Sequence, residues 1–280
     1  MFLITGANGQ LGHCLQDILP AQKRVLTDVA ELDITSEQAV LAFGEKHPLT
    51  AIINCAAYTN VDKAESEPEL ARKINVTGPA NLAKLAHAQN IPLIHISTDY
   101  VFDGTAHALL TEDMPVHPLG VYGQTKWEGE QAVLKYAPTA VILRTAWLYS
   151  PYGKNFVKTM LKLGSERDQL SVVADQFGTP TYAPHLAQAI VDILPHIKPG
   201  TQAIYHFTDE GTATWYDLAY YTLKCAKSAC QVLPIHTADY PTPATRPAFS
   251  VLDKTKFKQT FHKVLPHWTQ GVEQCLKKLS

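Results

Sequence analysis

Long apolar runs are missing from this sequence. No stretch approaches the ~20 consecutive apolar residues that a bilayer span needs, so no membrane role is expected. An excess of one charge is missing too. The 24 lysines and arginines nearly balance the 26 aspartates and glutamates, which leaves no electrostatic footprint for nucleic acid. Residues 1–20 open on a strand pattern without a basic flank, so no secretory signal is expected. Cysteine is sparse. Cys14, Cys55, Cys225, Cys230 and Cys275 are scattered, odd in number and form no Cys-x-x-Cys. That argues for reduced thiols in a cytoplasmic protein, and against a disulfide framework or a zinc site. None of the 12 histidines forms a His-x-x-x-His pair, so no metal is expected. Internal repeats and low-complexity tracts are absent as well.

What is there begins at once. At 280 residues the chain can bury a full core, as one large domain or two modest ones. It opens on Phe2-Leu3-Ile4-Thr5-Gly6-Ala7-Asn8-Gly9-Gln10-Leu11-Gly12. A short apolar run leads into Gly6, Gly9 and Gly12, and Leu11, Leu15, Ile18 and Leu19 follow at helical spacing. The stretch reads as strand, tight turn and helix. Glycines there let backbone N–H groups approach a pyrophosphate at the helix N-terminus. The spacing is Gly-x-x-Gly-x-x-Gly, a weaker signal than Gly-x-Gly-x-x-Gly.

Strands and helices then alternate. Arg24–Thr27, Ala51–Asn54, Leu93–Ser97 and Ala140–Arg144 read as strands, and 36–47, 68–89 and 122–136 as helices. Ser36 is a candidate cap, and Gly78-Pro79 is expected to interrupt the second of these helices. The alternation predicts an α/β fold, a Rossmann-type doubly wound parallel sheet covered on both faces. Residues 1–150 are expected to form the dinucleotide-binding domain. Residues 151–280 should form a smaller C-terminal substrate lobe, with later segments returning to the first domain. In that second half, 155–163, 183–194, 215–227, 254–261 and 267–279 read as helices, with Thr214 a candidate cap. Residues 170–173 and 204–207 read as extended. Pro241, Pro243 and Pro247 mark a loop over 237–247.

Two constellations carry chemistry. Asp28 ends the second strand, at the distance from the glycine turn where an acid accepts hydrogen bonds from an adenosine ribose. Its charge would repel a 2′-phosphate, which points toward NADH. Asp33-Ile34 is placed to meet the adenine edge. The second constellation is Tyr122-Gly123-Gln124-Thr125-Lys126. Tyr122 and Lys126 share one helix face, and a nearby ammonium is expected to lower the phenol pKa. Such a Tyr can pass a proton to or from a carbonyl or alcohol. The pair follows Ser97-Thr98-Asp99, which puts a hydroxyl at a strand's carboxyl end.

Together these residues resemble the extended short-chain dehydrogenase/reductase superfamily. Within it the chain is most similar to the dTDP-4-dehydrorhamnose reductase family. The resemblance rests on residues 97–104 (STDYVFDG), 61–65 (VDKAE), 144–149 (RTAWLY) and 175–181 (DQFGTPT), with Asn155-Phe156 and Arg246-Pro247. It runs from the first glycine to about residue 261.

The resemblance implies NADPH or NADH as cofactor, a dTDP-deoxyhexose substrate and cytoplasmic dTDP-L-rhamnose synthesis. It implies that Gly9, Gln10 and Leu11 face the pyrophosphate, and that Asp28, Asp33 and Ile34 hold the adenosine. Ala56, Ala57, Tyr58, Thr59 and the Ile96 backbone would line the path to nicotinamide. Tyr122 would donate the proton, Lys126 would bind the nicotinamide ribose, and Thr98 would supply the hydroxyl. Asp99 and Trp147 would contact the sugar, and Arg246 a diphosphate oxygen. Some members dimerise through a Mg²⁺ site of clustered acids. Residues 182–194 hold only Asp192, so no such site is expected, and a homodimer is left open. Two alternatives stand beside this reading. One is another nucleotide-sugar epimerase or dehydratase. The other is a non-catalytic NADP-binding subunit like the regulatory subunit of methionine adenosyltransferase.

Overall fold

The computed structural model describes residues 1–279. Its first half runs β1 (Phe2–Thr5), α1 (Gln10–Ile18), β2 (Arg24–Thr27), α2 (Glu37–Lys46) and β3 (Ala51–Asn54). Then come the short α3 (Val61–Ala64), α4 (Pro68–Arg72), α5 (Gly78–Gln89), β4 (Leu93–Thr98), α6 (Val121–Tyr136) and β5 (Ala140–Thr145). The central strands are buried on both faces, while β2 at the sheet edge is only partly covered. Ala51–Asn54 and Ala140–Thr145 are buried at every position, as strands of a covered parallel sheet must be.

The second half is finer-grained. It contains β6 (Leu148–Tyr149), α7 (Phe156–Glu166), β7 (Gln169–Val173), β8 (Phe177–Gly178), β9 (Thr181–Tyr182) and α8 (Ala183–Ile193). β10 (Gln202–His206), β11 (Ala213–Thr214), α9 (Trp215–Cys225), β12 (Gln231–Ile235), α10 (Thr255–Phe261) and α11 (Trp268–Leu279) complete it. β10 pairs in parallel with β5 and closes a six-stranded sheet of order β10-β5-β4-β3-β1-β2. α8 returns with it. Leu186, Ala187 and Ile190 share one buried cluster with Leu11, Cys14 and Leu15 of α1. The remaining short strands pair outside the main sheet, beside clusters built around Tyr149, Tyr182 and Trp268 and around Leu170, Leu223 and Val232. The fold is α/β and Rossmann-type, as the alternation predicts. Among the described residues no helix is long and apolar enough to cross a membrane.

One expectation shifts in register. The interruption in the 68–89 helix falls before Gly78-Pro79, as a π-helical turn over Lys73–Thr77. Pro79 has no N–H to give the carbonyl of Asn75, and the Gly78 N–H reaches back to Lys73 instead. The wider turn buries Asn75. Its side-chain oxygen accepts the Tyr58 N–H at 2.8 Å, and its amide donates to Tyr58 O at 3.2 Å and Thr125 Oγ1 at 3.1 Å.

Strand order also places the site. Successive strands build outward in opposite directions from the β1–β3 pair, so a crevice opens between the carboxyl ends of these two strands. The glycine turn leaves β1 there, and residues 55–59 leave β3 there.

Candidate active site

The turn after β1 needs glycine. Gly6 has φ +61°, and a Cβ on Gly12 would stand 2.5 Å from the Gly6 carbonyl oxygen. The helix it opens is left uncapped: Gly9 offers α1 no side-chain bond. α2 and α9, by contrast, are capped by Ser36 and by a Thr214–Asp217 box. The first-turn N–H groups of Gln10, Leu11 and Gly12 therefore have no intrahelical acceptor. All three residues line a cavity of about 760 Å³.

That cavity runs from the adenosine-side candidates to the catalytic ones. Asp28 accepts the Asn8 N–H at 3.1 Å, which fixes its carboxylate at the rim of the glycine turn. Asp33 is held below the usual carboxylate range by the Thr35 hydroxyl and N–H. Asp28, Asp33, Ile34, Ala56, Ala57, Thr59, Ile96, Thr98, Asp99, Tyr122, Lys126 and Trp147 all line the same space. A glycine cradle with free N–H donors, continuous with a half-buried Tyr122 and a buried Lys126, fits a dinucleotide.

At the inner end α6 faces β4. Lys126 is buried and donates to the carbonyl of Ile96 at 2.6 Å. The expected lowering of the phenol pKa is corrected here. Burial pushes Tyr122 up to about 12, Asp99 adds to the rise, and only a hydrogen bond from the Thr98 side chain opposes it. Lys126 moves the other way, drawn down to about 8 by burial, with Glu130 and Cys55 opposing. Spacing reveals a neighbour, but desolvation decides both groups. Asp99 is also buried and pushed up to about 6 by desolvation.

The wall facing the glycine turn holds Trp147, just after β5, with Lys154, Asn155 and Trp215 from the second half. Trp147 has φ +48°, an uncommon conformation for a bulky residue. It lies stacked on Trp215 at 3.7 Å and 9°. Gly178 leaves room for it, since a Cβ there would meet the indole at 2.6 Å. The Trp215 indole N–H donates to Gln176 Oε1 at 3.1 Å. Gln10 ties the glycine turn to this wall, its Oε1 accepting from Ser150 and Asn155 at 2.9 Å each.

Two candidates stand outside the cavity lining. Tyr58 turns its hydroxyl to Glu67 at 2.5 Å. Arg246 forms a two-pronged pair with Asp62, at 3.1 and 2.9 Å, which fastens the 237–247 loop to α3. Trp215 and Asn75 are the contributors that sequence reasoning missed. Trp215 directly follows the recognised cap Thr214, but nothing in its spacing ties it to Trp147.

A six-stranded parallel sheet with this crevice defines a Rossmann-type protein of the short-chain dehydrogenase/reductase class. Comparison with known proteins narrows it. The family model described as "RmlD substrate binding domain" matches residues 1–280. A dTDP-4-dehydrorhamnose reductase from Aggregatibacter actinomycetemcomitans is 44% identical, over 97% of this chain and 96% of the relative. The crystal structure of a dTDP-4-dehydrorhamnose reductase from Clostridium acetobutylicum superposes with a TM-score of 0.95 at 41% identity, covering 99% of both chains. One from Bacillus anthracis, solved in complex with NADP, gives 0.95 at 37% identity, over 99% of this chain and 98% of the other. The chain belongs to the dTDP-4-dehydrorhamnose reductase family.

Proposed function

We propose that this chain reduces the C4 ketone of dTDP-4-dehydro-L-rhamnose to give dTDP-L-rhamnose, with NADPH or NADH as reductant. The observation that carries the reading is that Thr98, Asp99, Tyr122, Lys126 and Trp147 line one cavity with the uncapped glycine turn. The nicotinamide, when bound, supplies hydride to the ketone carbon. Gly9, Gln10 and Leu11 hold the pyrophosphate on backbone N–H groups, and Asp28 and Asp33 hold the adenosine end. The NADP in the Bacillus anthracis relative supports this use of the cavity.

Tyr122 gives its proton to the carbonyl oxygen as charge develops there. A phenol held at about 12 is still a far stronger acid than the alcohol formed, so the transfer runs downhill. Thr98 donates to the same oxygen. Lys126, as an ammonium, binds the ribose and offsets the charge left on the phenolate. Trp147 and Asp99 orient the deoxyhexose, and Arg246 acts on the diphosphate from its pair with Asp62. Holding both reactants side by side in one cavity supplies much of the acceleration. The proposed compartment is the cytoplasm, which suits five free thiols.

The test is oxidation of NADPH and of NADH on addition of the dTDP-ketosugar, with the product identified. Reduction to dTDP-L-rhamnose is expected. Cofactor binding without turnover would favour the non-catalytic reading. An epimerised or dehydrated sugar without net cofactor oxidation would favour the other enzyme classes.

A further inference from the structure

The helix face that carries Tyr122 and Lys126 continues to Glu130. The three residues fall at successive four-residue steps of α6, all turned toward the sheet. Glu130 is fully buried, and Arg144 of β5 is 2% exposed. Glu130 Oε1 accepts from Arg144 Nε at 2.9 Å and from Ser97 Oγ at 2.5 Å. Its Oε2 accepts from Arg144 Nη2 at 2.7 Å. The guanidinium lies over the Phe102 ring, 5.2 Å from its centre.

These contacts converge on the end of β4. Lys126 holds the Ile96 carbonyl, Glu130 holds the Ser97 hydroxyl, and Tyr122 meets Thr98. A buried ion pair is a poor way to hold helix to sheet, since desolvation offsets most of the Coulombic gain and an apolar pair would pack as well. Arg144 Nη1 even lacks a hydrogen-bond partner. The charge at this position therefore asks for a purpose other than stability.

We propose that Glu130, clamped by Arg144 and Ser97, is a positioning residue for the reduction, fixing α6 on the end of β4 and keeping Lys126 an ammonium. This rests on the reading of Tyr122 and Lys126 as the catalytic pair. The groups facing Lys126 are Tyr122 and Glu130 on its own helix, His95 on β4 and Cys55 after β3. Burial keeps His95 and Cys55 uncharged, and Tyr122 is a neutral phenol. Glu130 thus carries the charge that opposes desolvation of the lysine. The groups facing Glu130 are Ser97 and Arg144, and behind Arg144 stands His206 of β10, held neutral by burial and by the guanidinium.

The experiment is the pH dependence of kcat, with melting temperature, for the wild type, Glu130→Gln and Glu130→Gln/Arg144→Met. Lys126→Met and Tyr122→Phe serve as controls. The wild type should lose activity above about pH 8, as Lys126 gives up its proton. In Glu130→Gln that limb should move down by about one unit or more, because an unpaired Arg144 is left beside the site. In the double variant, which removes both buried charges, it should move in the same direction by less. A purely structural role would lower the melting temperature and the rate but would not order the limbs this way.

A folded variant with its limb at the wild-type pH overturns the proposal. If neither variant folds, the pair is scaffold and the proposal falls. Inactive Lys126→Met and Tyr122→Phe beside an unmoved limb overturn the clamp alone. Wild-type turnover in Tyr122→Phe removes the catalytic pair, and the clamp's purpose with it.

Discussion

The indoles of Trp147 and Trp215 stack 3.7 Å apart and 9° from parallel, and both line the cavity. One face of Trp147 is therefore spent on its neighbour. The stack also holds Trp147 in a left-handed backbone conformation that costs a bulky residue roughly 1–2 kcal/mol. The two rings act as one apolar wall, fixed to Gln176 through the Trp215 N–H.

Trp147→Ala and Trp215→Ala should each raise KM for the dTDP-ketosugar and leave cofactor Kd nearly unchanged. The double variant should fall short of the sum, with a coupling of about 0.5–1.5 kcal/mol. Sugar KM, cofactor Kd and melting temperature decide the matter. Parallel loss of both affinities with a large melting loss would make the pair core packing.

Tyr122→Phe should lower kcat by roughly 10²-fold or more, the usual weight of a positioned proton donor. The glycine turn is untouched, so cofactor Kd should hold. Turnover near the wild-type rate would take Tyr122 out of the proton-donor role.

Much of this architecture was legible because parallel strands write themselves as short apolar runs. Ala51–Asn54 and Ala140–Thr145 are buried throughout, and the sequence signal is correspondingly plain. The strands β6, β8, β9 and β11 have two residues each, below the length of any period. The helix interruption falls a turn before Gly78-Pro79 because a proline acts on the carbonyl four residues before it, here Asn75. Spacing picks out Tyr122 and Lys126 but not the rise of the phenol pKa, since burial leaves no mark at i and i+4. The Trp147–Trp215 stack and the Glu130–Arg144 pair join distant segments, and only the fold brings them together.

Asp28→Ala tests cofactor choice. Asp28 lines the cavity and stands at the glycine turn through the Asn8 N–H. Its loss should weaken NADH, whose ribose hydroxyl it would accept from, and relieve repulsion of the NADPH phosphate. The NADPH/NADH ratio of kcat/KM should rise. A constant ratio would mean that Asp28 does not face the ribose.

Asp99 supplies the last prediction, and its sign follows from burial. The carboxyl is 1% exposed, accepts from Thr98 Oγ1 at 3.1 Å and has no partner for Oδ2. Desolvation pushes it from 3.8 to about 6, with the Ser250 and Thr98 hydroxyls opposing the rise. The folded chain therefore holds this proton more tightly than the unfolded one. Asp99's own contribution to stability must fall as pH rises from about 4 to about 6, and its penalty is complete above that range. About two units correspond to roughly 3 kcal/mol. Asp99→Asn keeps the shape and removes the charge. Measured without cofactor or sugar, it should melt several degrees above the wild type at about pH 7.5, and at nearly the same temperature near pH 4. The same variant should turn over the ketosugar poorly under the proposed function, in which Asp99 orients the deoxyhexose. Equal melting temperatures at both pH values would show that Asp99 ionises there without penalty, and would remove the argument that its burial serves substrate binding.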